Sequence, residues 1–443
     1  MDRREYARRR RRVVESLDDT CIVIVPTAPV MLRNRDVEYP FRPDSDFYYL
    51  TGFAESEAVA VMIPGREQGE YLLFCRERDS RRDLWTGRCV GLEDAVSKFG
   101  ADDAFPVSDL DDILPGLMEG RSKVYYPIGK YADFDYRVLN WANRLRRQRR
   151  GRYSQGSAEI VALDHILHDM RLYKSAAELR TIRHAVDASV AGHKRAMAAS
   201  RPGLHEYQLE AEVLHEFARH GCRWAAYPSI VAGGVNGCVM HYTDNGALLN
   251  DGDLVLLDAG AEYQFYAGDV TRTFPVNGRF SPVQRAIYEL VLSAQQAAID
   301  VIRPGNDCNA PHRAAVAVIA AGLADLGVIP GPARTAGERS DYQHFYMPST
   351  GHWLGLDVHD VGDYKVEGAW RAFEPGMVTT VEPGVYIPPD ATQVAPRWRG
   401  IAVRIEDDVA VTRHGREVLS AALPKAVNAV EALSGASDHD EAG

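Results

Sequence analysis

Five residues between positions 258 and 406 carry groups that bind cations, and each stands in or beside an apolar, strand-like run. Asp258 closes Leu254-Val255-Leu256-Leu257-Asp258, and Asp269 stands in Tyr266-Ala267-Gly268-Asp269-Val270-Thr271-Arg272-Thr273. His352 lies in Ser349-Thr350-Gly351-His352-Trp353-Leu354-Gly355, Glu382 in Thr379-Thr380-Val381-Glu382-Pro383-Gly384, and Glu406 in Val403-Arg404-Ile405-Glu406-Asp407-Asp408. A carboxylate at the end of a buried leucine and valine run is costly to desolvate unless something pairs with it. Five such groups would offset that cost together by holding cations. Four carboxylates and one imidazole are a hard, oxygen-rich donor set that suits manganese, with cobalt, iron or zinc as substitutes. Two divalent ions about 3.5–4 Å apart, bridged by carboxylates, form the clamp of two-metal hydrolysis. Singly, each residue has a plainer reading: Asp258-Ala259-Gly260 is good turn chemistry, and Glu382 and Glu406 would suit exposed strand ends. Spacing alone does not assemble the five.

Other chemistries are excluded by what the chain lacks. No two glycines stand two apart, so there is no Gly-x-Gly nucleotide loop, and no Gly-x-Ser-x-Gly nucleophile elbow is present. Gly129-Lys130 is followed by Tyr131 and is not a phosphate loop. His215-Glu216-Phe217-Ala218-Arg219-His220 imitates the zinc-binding His-Glu-x-x-His pattern, but its histidines are five apart. At about 100° per residue, a spacing of four separates two side chains by roughly 40° and a spacing of five by roughly 140°. The two histidines therefore do not share a metal from one helix, and the segment reads as a polar helix face.

The elements that must position the five residues follow from pattern. Up to about residue 173 the chain reads as mixed α/β, with strand-like runs at 58–63 and 70–75. Residues 144–158 are basic and Gly/Ser-rich and read as an exposed loop. Ser175 and Glu178 form a capping box that opens a helix and the second domain. A further helix is expected over 206–220, stopped by Gly221. Strands are expected at 253–258, 378–382 and 401–406, with helices near 281–303 and 310–327. The division is thus 1–173, 174–435 and a short acidic, disordered tail, 436–443.

With 443 residues, two or three domains of roughly 100–200 residues each are expected. The net charge of −11 argues against a nucleic-acid partner. Six cysteines without a Cys-x-x-Cys pair argue against a disulfide framework or zinc ribbon, and suit reduced residues of a cytoplasmic protein. The arginine run 8–12 is not followed by an apolar stretch long enough for a signal peptide or a membrane span, and reads as a solvated basic helix face.

The ordered blocks Asp258-Ala259-Gly260, 268–278, 351–360, 381–386 and 404–408 resemble the pita-bread metallopeptidases, and within them the aminopeptidase P branch. The resemblance covers nearly the whole chain and includes the block 34–53. It implies an α/β (α+β) chain: an N-terminal creatinase/aminopeptidase-P-type domain serving access and oligomerisation, then a C-terminal pita-bread catalytic domain. The implied reaction removes the first residue from peptides with proline second, through a dinuclear metal centre with a bridging water or hydroxide. Asp258 would chelate one ion, Asp269 and Glu406 would bridge both, and His352 and Glu382 would bind the second. His241 and His359 match active-site histidines that meet the substrate, Glu382 the proton shuttle, and Arg404 and Tyr386 supporting positions. Trp85 resembles a tryptophan that reaches a neighbouring subunit's site, so a homodimer or homotetramer is implied. One position departs: relatives usually carry a histidine four residues before the metal histidine, and here it is Pro348. The rival readings are a prolidase limited to Xaa-Pro dipeptides, and a metal-free creatinase-like hydrolase or peptide-binding module.

Overall fold

The structure, a computed structural model, describes residues 1–148, 159–332, 340–346 and 349–435. Its contacts divide the chain into two units, Met1–Arg171 and Leu172–Gly443.

The first unit is built on a six-stranded sheet. Its strand order is 103–106, 71–75, 59–62, 21–26, 123–126, 159–162. Only strand Val59–Met62 runs antiparallel to its neighbours. The central strands Cys21–Pro26, Val59–Met62 and Tyr71–Cys75 are buried along their whole length, which is why they read as unbroken apolar runs rather than alternating ones. Helices Leu110–Met118 and Ala132–Gln148 pack Leu114, Met118, Val138 and Trp141 onto Ile22, Val61, Leu72 and Phe74.

The structure differs from the sequence pattern at two places in this unit. The helix continues to Gln148 through residues whose polarity suggests a loop; arginine and glutamine are good helix formers, so a charged end need not break a helix. The remainder of that stretch, 149–158, lies outside the described residues, as does the tail 436–443. The arginine-rich helix Arg3–Glu15 is not simply a solvated face either. Arg9 and Arg10 are buried and donate to the carbonyls of Tyr49 (2.9 Å) and Leu50 (2.8 Å) in the last turn of helix Ser45–Thr51. Cations there satisfy carbonyls that have no partner within the helix and meet the negative end of its dipole.

The second unit opens as expected: the Ser175–Glu178 capping box starts helix Ala176–Ala199, against which Glu206–Arg219 packs. Three antiparallel strands follow, 230–233, 254–258 and 271–275, with Asp258 opposite Ile230 on one side and Thr271 on the other. Strand Val378–Val381 pairs with Asp407–Thr412, and Gly384–Ile387 pairs with Ile401–Arg404. Glu382 and Glu406 therefore occupy the two links where this strand system passes from one pair to the other. The Glu406 N–H donates to Thr271 O at 3.1 Å and the Arg404 N–H to Thr273 Oγ1 at 3.1 Å, tying the two groups of strands together. Helix Pro282–Asp300 buries Ile287, Val291 and Ala294, and Ala310–Asp325 packs beside it. Among the described residues, no helix is long and apolar enough to cross a membrane.

Candidate metal centre

The site is assembled by backbone pairing. Asp258 ends its strand, and Asp269 stands two residues before the strand paired with it; the Ala259 N–H bonds to Val270 O at 3.1 Å, so the two carboxylates share one end of the ladder. Residues 350–354 run along strand Val378–Val381: Thr350 O takes the Glu382 N–H (2.8 Å), His352 O the Thr380 N–H (2.9 Å), and Val378 O the Leu354 N–H (3.1 Å). That register sets His352 beside Glu382. It also requires glycine at 351, where a Cβ would stand 2.1 Å from Thr380 O.

Asp258, Asp269, His352, Glu382 and Glu406 line one cavity of about 250 Å³, together with His241, His359 and Arg404. Ligand atoms of Asp269, His352 and Glu406 all lie within 4.8 Å of one another. His352 Nε2 is 3.3 Å from Asp269 Oδ2 and 3.5 Å from Glu382 Oε1. Glu406 and Asp269 are the deepest, His352 and Glu382 are part-exposed, and His241 and His359 are exposed at the rim. The His359 ring meets His352 edge-on, with centroids 4.4 Å apart.

Burial, then the charge of neighbouring carboxylates, raises Glu406 well above the usual carboxylate range. Burial raises Asp258 despite Arg404 beside it, and pushes Glu382 up to about 7. For His352 burial disfavours the cation, yet the contact with Asp269 and the charge of Glu382 outweigh it and raise the imidazole to about 9. Carboxylates that hold one another's protons on, and an imidazolium kept charged between them, describe a cluster short of positive charge; divalent ions would supply it. His352 Nδ1 donates to Trp353 O at 2.9 Å, which leaves Nε2 facing the carboxylates as a ligand atom.

Several contributors carry no recognisable signal in the sequence. The Tyr227 hydroxyl lies 2.6 Å from Asp258 Oδ1 and 2.5 Å from Asp269 Oδ1. Burial and those two carboxylates keep its proton on. Thr271 Oγ1 donates to Glu406 Oε2 at 2.6 Å, and Thr380 Oγ1 accepts the His352 N–H at 3.0 Å. Asp408 Oδ2 accepts the Asp269 N–H at 3.0 Å. Arg272, fully buried, grips Glu406 O at 2.6 Å and Asp407 Oδ1 at 2.8 Å. Threonines 271 and 273, polar residues within a buried strand, were the one pattern that could have drawn attention.

Arg404 is buried and donates to Asp258 Oδ2 and, at 2.7 Å, to the Tyr386 hydroxyl, so Tyr386 stands one layer behind Asp258. Trp85 belongs to the first unit, on helix Ser80–Thr86, and is 89 % exposed. Pro348 lies outside the described residues. The imitation zinc motif is a helix end: His220 follows the last helical residue and its Nδ1 bonds to Glu216 O at 3.0 Å.

The chain is similar over nearly its whole length to known metallopeptidases. The family model for metallopeptidase family M24 matches residues 180–413, and that for the aminopeptidase P N-terminal domain matches 6–125. Xaa-Pro aminopeptidase of Escherichia coli is 42 % identical over 98 % of both chains. The Haemophilus influenzae Xaa-Pro aminopeptidase is 41 % identical over 98 % of this chain and 97 % of its own. The structure of Pseudomonas aeruginosa aminopeptidase PepP superposes with a TM-score of 0.97 at 55 % identity, covering 99 % of each chain. With mixed α/β units, a carboxylate-rich centre and these matches at full length, the chain belongs to metallopeptidase family M24, in the branch that carries the aminopeptidase P N-terminal domain.

Proposed function

We propose that this protein is an Xaa-Pro aminopeptidase, which releases the first residue of peptides whose second residue is proline. The observation that carries the reading is the gathering of four carboxylates and one imidazole in a single cavity, in a chain similar over its full length to Xaa-Pro aminopeptidases. Asp258, Asp269, His352, Glu382 and Glu406 would hold two divalent ions, and the hard donor set favours manganese. When bound, such ions supply a water that is deprotonated at neutral pH and polarise the scissile carbonyl.

The chain's own groups do the rest. Glu382, beside His352 on the part-exposed side of the cavity, is placed to take a proton and pass it to the leaving proline nitrogen. Burial lowers the His359 pKa, so at neutral pH its imidazole is neutral and available to hydrogen-bond the substrate with His241 across the mouth. Arg404 and Tyr386 keep Asp258 in place from behind. Pro228, Ile230, Met240 and Val358 give the cavity an apolar side. Proline suits such a wall, because its ring is apolar and rigid and its nitrogen carries no hydrogen for a site to bind. The substrate's free amine would pair with a carboxylate of the centre, which restricts cutting to the N-terminus. Assembly into a dimer or tetramer, with Trp85 reaching a neighbour's site, is supported by the exposure of Leu84 and Trp85, large apolar side chains side by side. A cytoplasmic location accords with cysteines that are all free.

The test is cleavage by metal-stripped protein with and without manganese, using an Xaa-Pro-Yaa tripeptide, an Xaa-Pro dipeptide and an Xaa-Ala-Yaa control. Manganese-dependent release of Xaa from the tripeptide is expected; cleavage of the dipeptide alone would make the protein a prolidase instead.

A further inference from the structure

We infer that Glu206 is a positioning residue that sets His241 against the substrate; this rests on the reading of His241 as a substrate contact. Glu206 is the first residue of helix Glu206–Arg219 and is fully buried. Its Oε1 accepts the Gly233 N–H at 2.7 Å and Asn236 Nδ2 at 3.0 Å. Its Oε2 accepts the Tyr242 hydroxyl at 2.8 Å and the Ala247 N–H at 2.8 Å. These donors come from both ends and the middle of one segment, 233–247, and Tyr242 is the immediate neighbour of His241.

One helical turn further on, Glu210 Oε2 accepts Asn245 Nδ2 at 3.1 Å. Asn245 also donates to Ser229 O at 2.9 Å and takes the Val231 N–H at 3.0 Å on its Oδ1. Its φ of 46° is a left-handed conformation that asparagine tolerates better than most residues. The segment is thus pinned to the first two turns of a helix and to the strand that pairs with the one ending in Asp258. His241 itself is exposed and lines the cavity mouth, so its aim follows from the backbone that carries it.

A carboxylate suits this place because its two oxygens offer about four lone-pair sites, and here each oxygen takes two donors. Glutamine has the same shape but would point an NH₂ group at two donors. The segment would lose bonds at one end, and His241 would sample positions away from the mouth, while Asp258, Asp269, His352, Glu382 and Glu406 keep their own backbone pairing.

The experiment is a double-mutant cycle on the manganese-loaded, full-length protein, read as kcat/KM on an Xaa-Pro-Yaa peptide, with metal content measured in parallel. Glu206→Gln is expected to lower kcat/KM on the order of 10-fold, and the milder Tyr242→Phe about 3-fold, each with both ions retained. In a His241→Ala background either change should cost less than about 2-fold, because the group they position is gone. Equal losses in both backgrounds would overturn the inference while leaving the role of His241 intact. No loss from His241→Ala itself would instead remove the reading on which the inference rests. Tyr242→Phe, which keeps the side-chain volume, carries the same cycle should Glu206→Gln fail to fold.

Discussion

The Tyr227 hydroxyl stands 2.6 Å from Asp258 and 2.5 Å from Asp269, so one neutral side chain touches two of the five candidate ligands. A phenol that stays protonated can steady both carboxylates without competing for a cation. Tyr227→Phe removes this contact and little else. It is expected to weaken metal binding by about 10-fold, the lower end of what outer-shell partners contribute, with the fold preserved. Competition against a chelating dye measures this; unchanged affinity would leave Tyr227 with only a packing role.

Lys174 and Asp360 form an ion pair at 2.9 Å with both side chains about 1 % exposed, next to His359. Asp360 also gives its N–H to Trp353 O (2.9 Å), the carbonyl that orients His352. Lys174→Met should destabilise the protein by about 1.5–3 kcal/mol, because it removes one charge-assisted hydrogen bond from a buried carboxylate. Lys174→Met and Asp360→Asn together should cost less than the sum of the two single changes, because both act on one bond. Urea denaturation checks both, and a Lys174→Met variant as stable as the parent would contradict the pairing.

The metal-free protein should lose stability as pH rises. Glu382 binds its proton more tightly folded than unfolded; its contribution is complete below about 4.5 and is lost as pH climbs through about 7. His352 acts in the same sense, complete below about 6.5 and lost through about 9. Thermal melting of stripped protein should therefore show a Tm that falls between about pH 5 and pH 9, and less steeply in Glu382→Gln. Divalent ions should reverse the fall and release protons as they bind. A Tm that rises over this range without metal would be incompatible with a carboxylate cluster short of positive charge.

What the sequence disclosed and what it hid divide along a physical line. Asp258 stands out because a charge closing an apolar run is conspicuous, and Ser175–Glu178 because a capping box is local, whereas Asp269, His352, Glu382 and Glu406 each have a plainer reading alone and are grouped by the family resemblance. Tyr227, Glu206 and Arg272 do not stand out, since each acts on residues brought near only by folding: Arg272 reaches 134 positions along the chain to Glu406. The same distance effect misleads about Arg9 and Arg10, whose partners lie 40 residues away. Composition describes them as solvated; the end of another helix takes them inside. The helix running to Gln148 shows the converse error, polarity taken for irregular structure where the residues themselves favour helix.

The most direct test of the account is metal stoichiometry in Asp269→Asn. Asp269 sits between His352 and the Asp258 side of the cluster, bonded to Tyr227 and 3.3 Å from His352, and is the residue proposed to bridge two ions. The parent protein should take up two manganese ions per chain by calorimetric titration and cleave an Xaa-Pro-Yaa peptide in proportion. Asp269→Asn should lose most of that uptake and nearly all cleavage while keeping its fold by circular dichroism. A folded variant that still binds two ions and cleaves at the parent rate would contradict the proposed dinuclear centre.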